Sequence, residues 1–266
     1  MNRWVAESIE KAQSRGYLDG LSEVYPINVP TLRKILADQE REIKQAFKTK
    51  NKKKLITTLL NLERFPIDDP YIGFLRRDKS ALDKNPKTLS RIWDRLFIMG
   101  PRGVLEGAKK PPSSSRKMGQ MFRNWLYSSY QGAVLEESDF LKKTKGLAVL
   151  KGGDAALKKF ASKNLGYRGD KGLDLVIRKN NHFIIGETKF ISTSGGTQDK
   201  SFRESMNFIK RGSAKTTRIA VLDGVVWIPP NPGSKKKLNL YQTVQNLNNN
   251  QVALSALLLK NFLREL

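Results

Sequence analysis

The chain contains no cysteine and a single histidine, His182, in 266 residues. Without thiols it forms no disulfide and no thiolate metal site. One imidazole rules out chemistry built on paired histidines, or on a histidine base backed by several metal-binding histidines. No apolar run approaches the roughly 18 residues that a transmembrane helix needs. Residues 1–20 are polar and mixed in charge, with Glu7, Glu10 and Asp19, and read as neither a signal nor a transit peptide. A Gly-x4-Gly-Lys-Ser/Thr phosphate loop is also missing. These absences fit a cytoplasmic protein that does not contact a membrane.

Acids are scarce relative to bases. Lys and Arg number 49 against 25 Asp and Glu, a net charge of +24. Bases outnumber acids on both sides of residue 110, so the excess is no detachable tail. Such a field draws the whole chain toward a polyanion, DNA or RNA. With 39% hydrophobic and 28% charged residues the chain folds rather than staying disordered.

The first 110 residues read as helical. Apolar spacing predicts helices over 3–13, over 31–47 with Pro30 in the first turn, over 55–62 and over 70–77. Another starts at Asn85-Pro86 and is stopped by Gly100. The basic run 48–54 reads as a solvated loop, and residues 107–115, with Pro111-Pro112 and three serines, as a linker or an ordered loop. Ser115 is placed to cap a helix over 116–130. Beyond Gly132 the pattern changes. Strands are expected at 147–150, 173–178, 182–187, 217–222 and 225–228, with Asp223-Gly224 as a hairpin signal between the last two. Helices are expected at 154–163, 199–210 and 251–264. The result is an α/β (α+β) core over 116–266 behind a helical N-terminal region, 1–110.

One grouping carries chemistry. Two apolar runs flank the turn Lys179-Asn180-Asn181, and the second ends in Glu187-Thr188-Lys189. In a strand, residues i and i+2 share a face, so Glu187 and Lys189 project together. A hairpin closed at 179–181 brings Asp174 to the same end. Two neighbouring carboxylates are costly unless a cation offsets them. Mg²⁺ is the natural ion, with Asp174, Glu187 and the backbone carbonyl of Thr188 as its ligands. Lys189 would orient the attacking water, and phosphodiester hydrolysis would leave 5′-phosphate and 3′-hydroxyl ends. Glu42-Ile43-Lys44 has the same letters inside a helical pattern, where i and i+2 face apart, so it serves as a control. Asp170 is the alternative to Asp174, and Glu136 and Glu137 are candidates for a further acid. Arg116, Lys117 and Arg123 are placed for the DNA backbone. Ser194, Gln198, Lys200 and Arg203 are placed for bases or phosphates. Lys235-Lys236-Lys237 reads as a solvated loop.

Asp174 with Glu187-Thr188-Lys189 resembles the PD-(D/E)xK nuclease motif, Leu173 standing where the motif name has Pro. The stretch 185–190, followed by Ser194-Gly195-Gly196-Thr197-Gln198 and preceded by Gly153-Asp154 and Leu157-Lys158-Lys159-Phe160-Ala161, resembles type II restriction endonucleases. That resemblance implies a restriction-endonuclease-like mixed sheet flanked by helices. It implies Asp174 and Glu187 as metal ligands, Lys189 as catalytic lysine, Mg²⁺ as cofactor and double-stranded DNA as substrate. It also implies a homodimer in a bacterial or archaeal host, protected by a cognate DNA methyltransferase. The N-terminal region would then serve recognition or dimerisation. A structure-selective repair or recombination nuclease and a non-catalytic nucleic-acid-binding protein are the alternatives.

Overall fold

The computed structural model describes residues 1–27, 32–111, 117–193, 195–210, 216–230 and 239–266. Its contacts divide the chain into two units: Met1–Ile27 with Ser114–Leu266, and Asn28–Ser113. The division falls at Ser113–Ser114, close to the expected 110, but the first 27 residues group with the C-terminal unit and not with the helical region where they were expected. Their ties are specific. The Asn2 side chain caps α1 (Arg3–Gln13) through Trp4 N–H and donates to the carbonyls of Asn248 and Gln251. Tyr17 and Tyr25, at either end of α2 (Tyr17–Val24), reach the buried Asp223.

The second unit is all helical among its described residues: α3 (Ala37–Lys48), α4 (Lys52–Leu60), α5 (Ile72–Arg77), α6 (Ala81–Lys84) and α7 (Pro86–Lys109). The helix expected over 31–47 begins only at Ala37. Leu32 and Leu36 stay exposed, and Gln39 caps Leu36 N–H. Gly100 breaks α7 as expected, at φ 68°, but the chain turns helical again through to Lys109, where a linker or an ordered loop was expected. Ile43, Phe47, Leu55, Ile56, Leu59, Ile92, Trp93 and Leu96 fill this unit's core. The basic run at 48–54 is partly the first turn of α4, and its lysines pair at the surface with Asp83 and Glu42.

In the first unit the chain continues through α8 (Met118–Ser129), β1 (Val134–Leu135), α9 (Glu137–Lys142), β2 (Leu147–Leu150) and α10 (Asp154–Asn164). It then runs through β3 (Leu175–Lys179), β4 (His182–Ile191), α11 (Gly196–Ile209), β5 (Thr216–Gly224), α12 (Leu240–Gln245), β6 (Val252–Leu254) and α13 (Leu259–Glu265). The strands form one mixed sheet in sequence order. β2, β3 and β4 are antiparallel neighbours, whereas β1 runs parallel to β2, and β4, β5 and β6 run parallel to one another. The crossover from β4 to β5 through α11 allows that parallel pairing. The α/β class with flanking helices is as expected. Phe122, Phe140, Phe160, Phe202 and Trp227 are among the largest fully buried side chains, each worth on the order of 2–3 kcal/mol relative to exposure.

Two expected elements differ. After Asp223-Gly224, where a strand over 225–228 was expected, Val225–Trp227 is a 3-10 turn. Gly224 has φ 92°, and a β-carbon there would collide with the carbonyl of Ile191, so the glycine serves close packing rather than a hairpin. The helix expected over 251–264 is instead β6, a 3-10 turn and α13. Val252, Ala253 and Leu254 of β6 are buried and pair with Ile219–Val221 of β5.

Candidate active site

The hairpin of β3 and β4 is paired from Lys179 opposite His182 to Leu175 opposite Gly186. Asn180 takes the left-handed conformation in its turn, φ 54°, which Asn tolerates. Asp174 N–H donates to Gly186 O at 2.9 Å, and this is the last backbone tie between the two segments. β4 does not end there. It runs on to Ile191, with Glu187, Thr188 and Lys189 opposite Ala220, Val221 and Leu222 of β5. The Glu-x-Lys is therefore held inside a parallel ladder, more rigidly than the strand end expected from sequence.

In the gap left by β3, side chains replace the ladder. Asp174 Oδ2 accepts Thr188 N–H at 2.8 Å. Lys189 Nζ lies 3.8 Å from Asp174 Oδ2 and 3.6 Å from Glu187 Oε2. The lysine thus lies within 4 Å of both acids, and the alternation of the strand puts it on the same face as Glu187. Helix α8 lies against this spot, since a β-carbon on Gly119 would stand 3.4 Å from Asp174 Oδ1. Arg123, one turn further along α8, approaches the same Oδ1 at 3.8 Å.

The electrostatics are strained. The Glu187 side chain is 3% exposed and that of Asp174 13%. Burial raises the pKa of both carboxyls; Lys189 opposes this in each case, joined by Thr188 N–H at Asp174 and by Lys171 at Glu187. Glu187 Oε2 is buried without a hydrogen-bond partner. An orphaned, desolvated carboxylate oxygen beside a second carboxylate is what a divalent cation would satisfy. Among the described residues no group of three or more His, Cys, Asp or Glu is gathered for a metal. An ion here would therefore draw on two carboxylates and complete its shell with backbone, water and substrate oxygens, which suits a hard cation.

The other expected residues fall as follows. Asp170 is exposed in the preceding loop, where its backbone carbonyl accepts from Lys158 at 2.7 Å; it does not join the cluster. Glu136 is exposed and paired with Lys151, and Glu137 is exposed at the start of α9. Lys117, Lys200 and Arg203 are exposed. Gln198 is committed to its own loop, bonding Ser192 N–H and Oγ at 2.9 Å, while Asp199 accepts Gly195 N–H at 2.7 Å. Arg123 differs from its expected place along the DNA backbone: it is buried and ion-paired with Asp154 at the start of α10. Arg116, Ser194 and the 235–237 run lie outside the described residues, as does Ser115. His182 bonds Thr217 Oγ1 at 2.7 Å, away from the acids at the opposite end of the β3–β4 pairing. Glu42 binds Thr58 and Lys54 on a helix surface, as the control required.

Sequence reasoning missed Arg123 and Asp154 as neighbours of Asp174. The available signal was weak: an Arg at an inward position of α8, next in the apolar stripe to Phe122 and Leu126.

With this sheet and this geometry in place, comparison with known proteins supplies the class. The chain is a type II restriction enzyme, and hence a site-specific deoxyribonuclease and hydrolase acting on DNA. It belongs to the Tsp45I type II restriction enzyme family, which it matches over residues 2–266. No match was found among curated proteins or among solved structures. The restriction-endonuclease reading and the mixed-sheet fold expected from sequence are both borne out. No helix among the described residues is long and apolar enough to cross a membrane.

Proposed function

We propose that the chain cleaves double-stranded DNA at a specific sequence through a PD-(D/E)xK centre made of Asp174, Glu187 and Lys189, with Mg²⁺ as cofactor. The observation that carries this is the placement of Lys189 Nζ within 4 Å of both carboxylates, the buried Glu187 and the partly buried Asp174. Asp174, Glu187 and the Thr188 carbonyl would hold the ion. When bound, it supplies Lewis-acid polarisation of the phosphoryl oxygen and charge balance at the leaving oxygen. Lys189 positions the attacking water and offsets the charge that develops on the phosphorus oxygens. Its rigid strand keeps that ammonium in place without reorganisation. Attack at phosphorus with departure of the 3′-oxygen leaves a 5′-phosphate and a 3′-hydroxyl.

Lys117, Lys200 and Arg203 would contact DNA, with Arg116, Gln198 and Ser194 as further candidates. The helical N-terminal region would aid recognition or dimerisation, and a homodimer would match a two-fold symmetric site. The enzyme would work in a bacterial or archaeal cytoplasm, its host's DNA protected by a cognate methyltransferase encoded nearby. Digestion of linear phage DNA with Mg²⁺ tests this reading. Discrete fragments whose 5′ ends accept label only after phosphatase treatment are expected. A smear, or ends labelled without phosphatase, would contradict it.

A further inference from the structure

We propose that Asp154 is a positioning residue that holds the Arg123 guanidinium back from Asp174, keeping Asp174 Oδ1 open to a divalent cation. The inference rests on the reading of Asp174 as a metal ligand. It begins from a division of labour within one carboxylate. Asp174 Oδ2 already accepts Thr188 N–H at 2.8 Å, so Oδ1 is the oxygen left for a cation. One Arg123 nitrogen, Nη2, faces that Oδ1 at 3.8 Å, beyond hydrogen-bond range, and is in close contact with Asp154 Oδ1 instead. A single guanidinium nitrogen therefore has two carboxylates to choose from, and Asp154 holds it.

Little else restrains that guanidinium. Its Nε is buried without a partner, and Nη1 has only a long contact, 3.4 Å, to Gln120 Oε1. The Arg123 side chain is 9% exposed, so it has no easy escape to water. A buried guanidinium that lost Asp154 would find Asp174 the nearest remaining anion. It would close on Oδ1 in a charge-assisted bond, and both oxygens of Asp174 would then be occupied.

Asp154 is well placed to act as a stay. It opens α10, and its backbone carbonyl accepts Leu173 N–H at 3.3 Å, the residue just before Asp174. The distance between the two acids is thus set by the backbone. Its own side chain is 61% exposed, so exchanging it opens no cavity, and the one group that loses a partner is the Arg123 guanidinium. A simple strut between α8 and α10 would give a different outcome: removing either partner would lower stability and leave cation affinity alone.

The test is Mn²⁺ binding to the full-length protein without DNA, followed by loss of the free-ion EPR signal, with circular dichroism to verify folding. Asp154→Asn should bind Mn²⁺ about tenfold more weakly, the range expected when an outer partner of a ligand is lost. Asp154→Ala should do the same. Adding Arg123→Met to Asp154→Asn should restore affinity to about the wild-type level, because the competing guanidinium is gone. Unchanged affinity in both Asp154 variants, or a double variant as weak as the single one, would overturn the inference. Asp174→Asn should abolish binding at this site. If it does not, the metal-site reading itself fails, separately from the role of Asp154.

Discussion

Asp174 Oδ2 accepts the backbone N–H of Thr188 at 2.8 Å, a bond that joins the first acid to the middle residue of Glu187-Thr188-Lys189. The side chain takes the place of the ladder bond that β3 would have supplied had it continued. This bond also separates Asp174 from Asp170, which lies exposed four residues earlier.

Asp174→Asn should lower cleavage by at least a hundredfold, in line with losing a charged group at the reacting centre. Asp170→Asn should stay within about threefold of wild type, since exposed substitutions rarely matter. Rates of plasmid linearisation under identical Mg²⁺ check both. A dead Asp170→Asn with an active Asp174→Asn would reverse the assignment.

Glu187 should make the metal-free protein less stable. Its carboxylate is buried with an unbonded oxygen, a charge whose desolvation exceeds what one lysine at 3.6 Å returns. Removing that charge in Glu187→Gln should stabilise the protein in EDTA by about 1 kcal/mol, or roughly 2–4 °C in Tm for a chain this long. The sign with pH follows from burial raising this carboxyl above its ordinary 4.5. Stability from the protonated form is complete below 4.5 and lost as pH rises through the higher folded value. The gap between wild type and Glu187→Gln should therefore close on acidification, and Mg²⁺ should raise the Tm of wild type alone. Thermal melts across pH measure it; a variant less stable than wild type in EDTA would contradict the prediction.

The hairpin was legible because its signals are local: two apolar runs, an Asn-rich turn and a two-residue period. Less visible was that β4 continues past Gly186, since Glu187 and Lys189 look like a strand end unless β5 is known to pair beside them. The stretch 251–264 misleads for another reason. Residues 252–259 are apolar except for Ser255, so they carry no period to tell a buried strand from a helix, and only pairing with β5 decides for β6. Arg123 looked like a surface cation because nothing in one sequence shows that Asp154 and Asp174 lie next to it. Residues 1–27 join the sheet unit through side-chain bonds to Asp223, Asn248 and Gln251, contacts with no signature along the chain.

Asp223 gives a prediction away from the cluster. It is fully buried, bonded by Tyr25 at 2.7 Å and Ser255 at 2.6 Å. Burial pushes its carboxyl from 3.8 up to about 7, against the pull of those hydroxyls. Because the folded value is the higher one, its contribution to stability is complete below pH 3.8 and is lost as pH rises to about 7. Chemical denaturation should show wild-type stability falling across that window relative to Asp223→Asn, whose side chain does not titrate. Parallel pH profiles for the two proteins would contradict this.

The most direct test of the central claim is single-turnover cleavage of a cognate DNA by Lys189→Ala in saturating Mg²⁺, alongside gel-shift binding of the same DNA in Ca²⁺. The site described predicts a cleavage rate reduced by two to four orders of magnitude, as for loss of a positioned proton-transfer or charge-stabilising group. It predicts DNA affinity within about threefold of wild type, since one lysine among 49 Lys and Arg carries little of the total attraction. Wild-type cleavage by Lys189→Ala would place the chemistry elsewhere in the molecule.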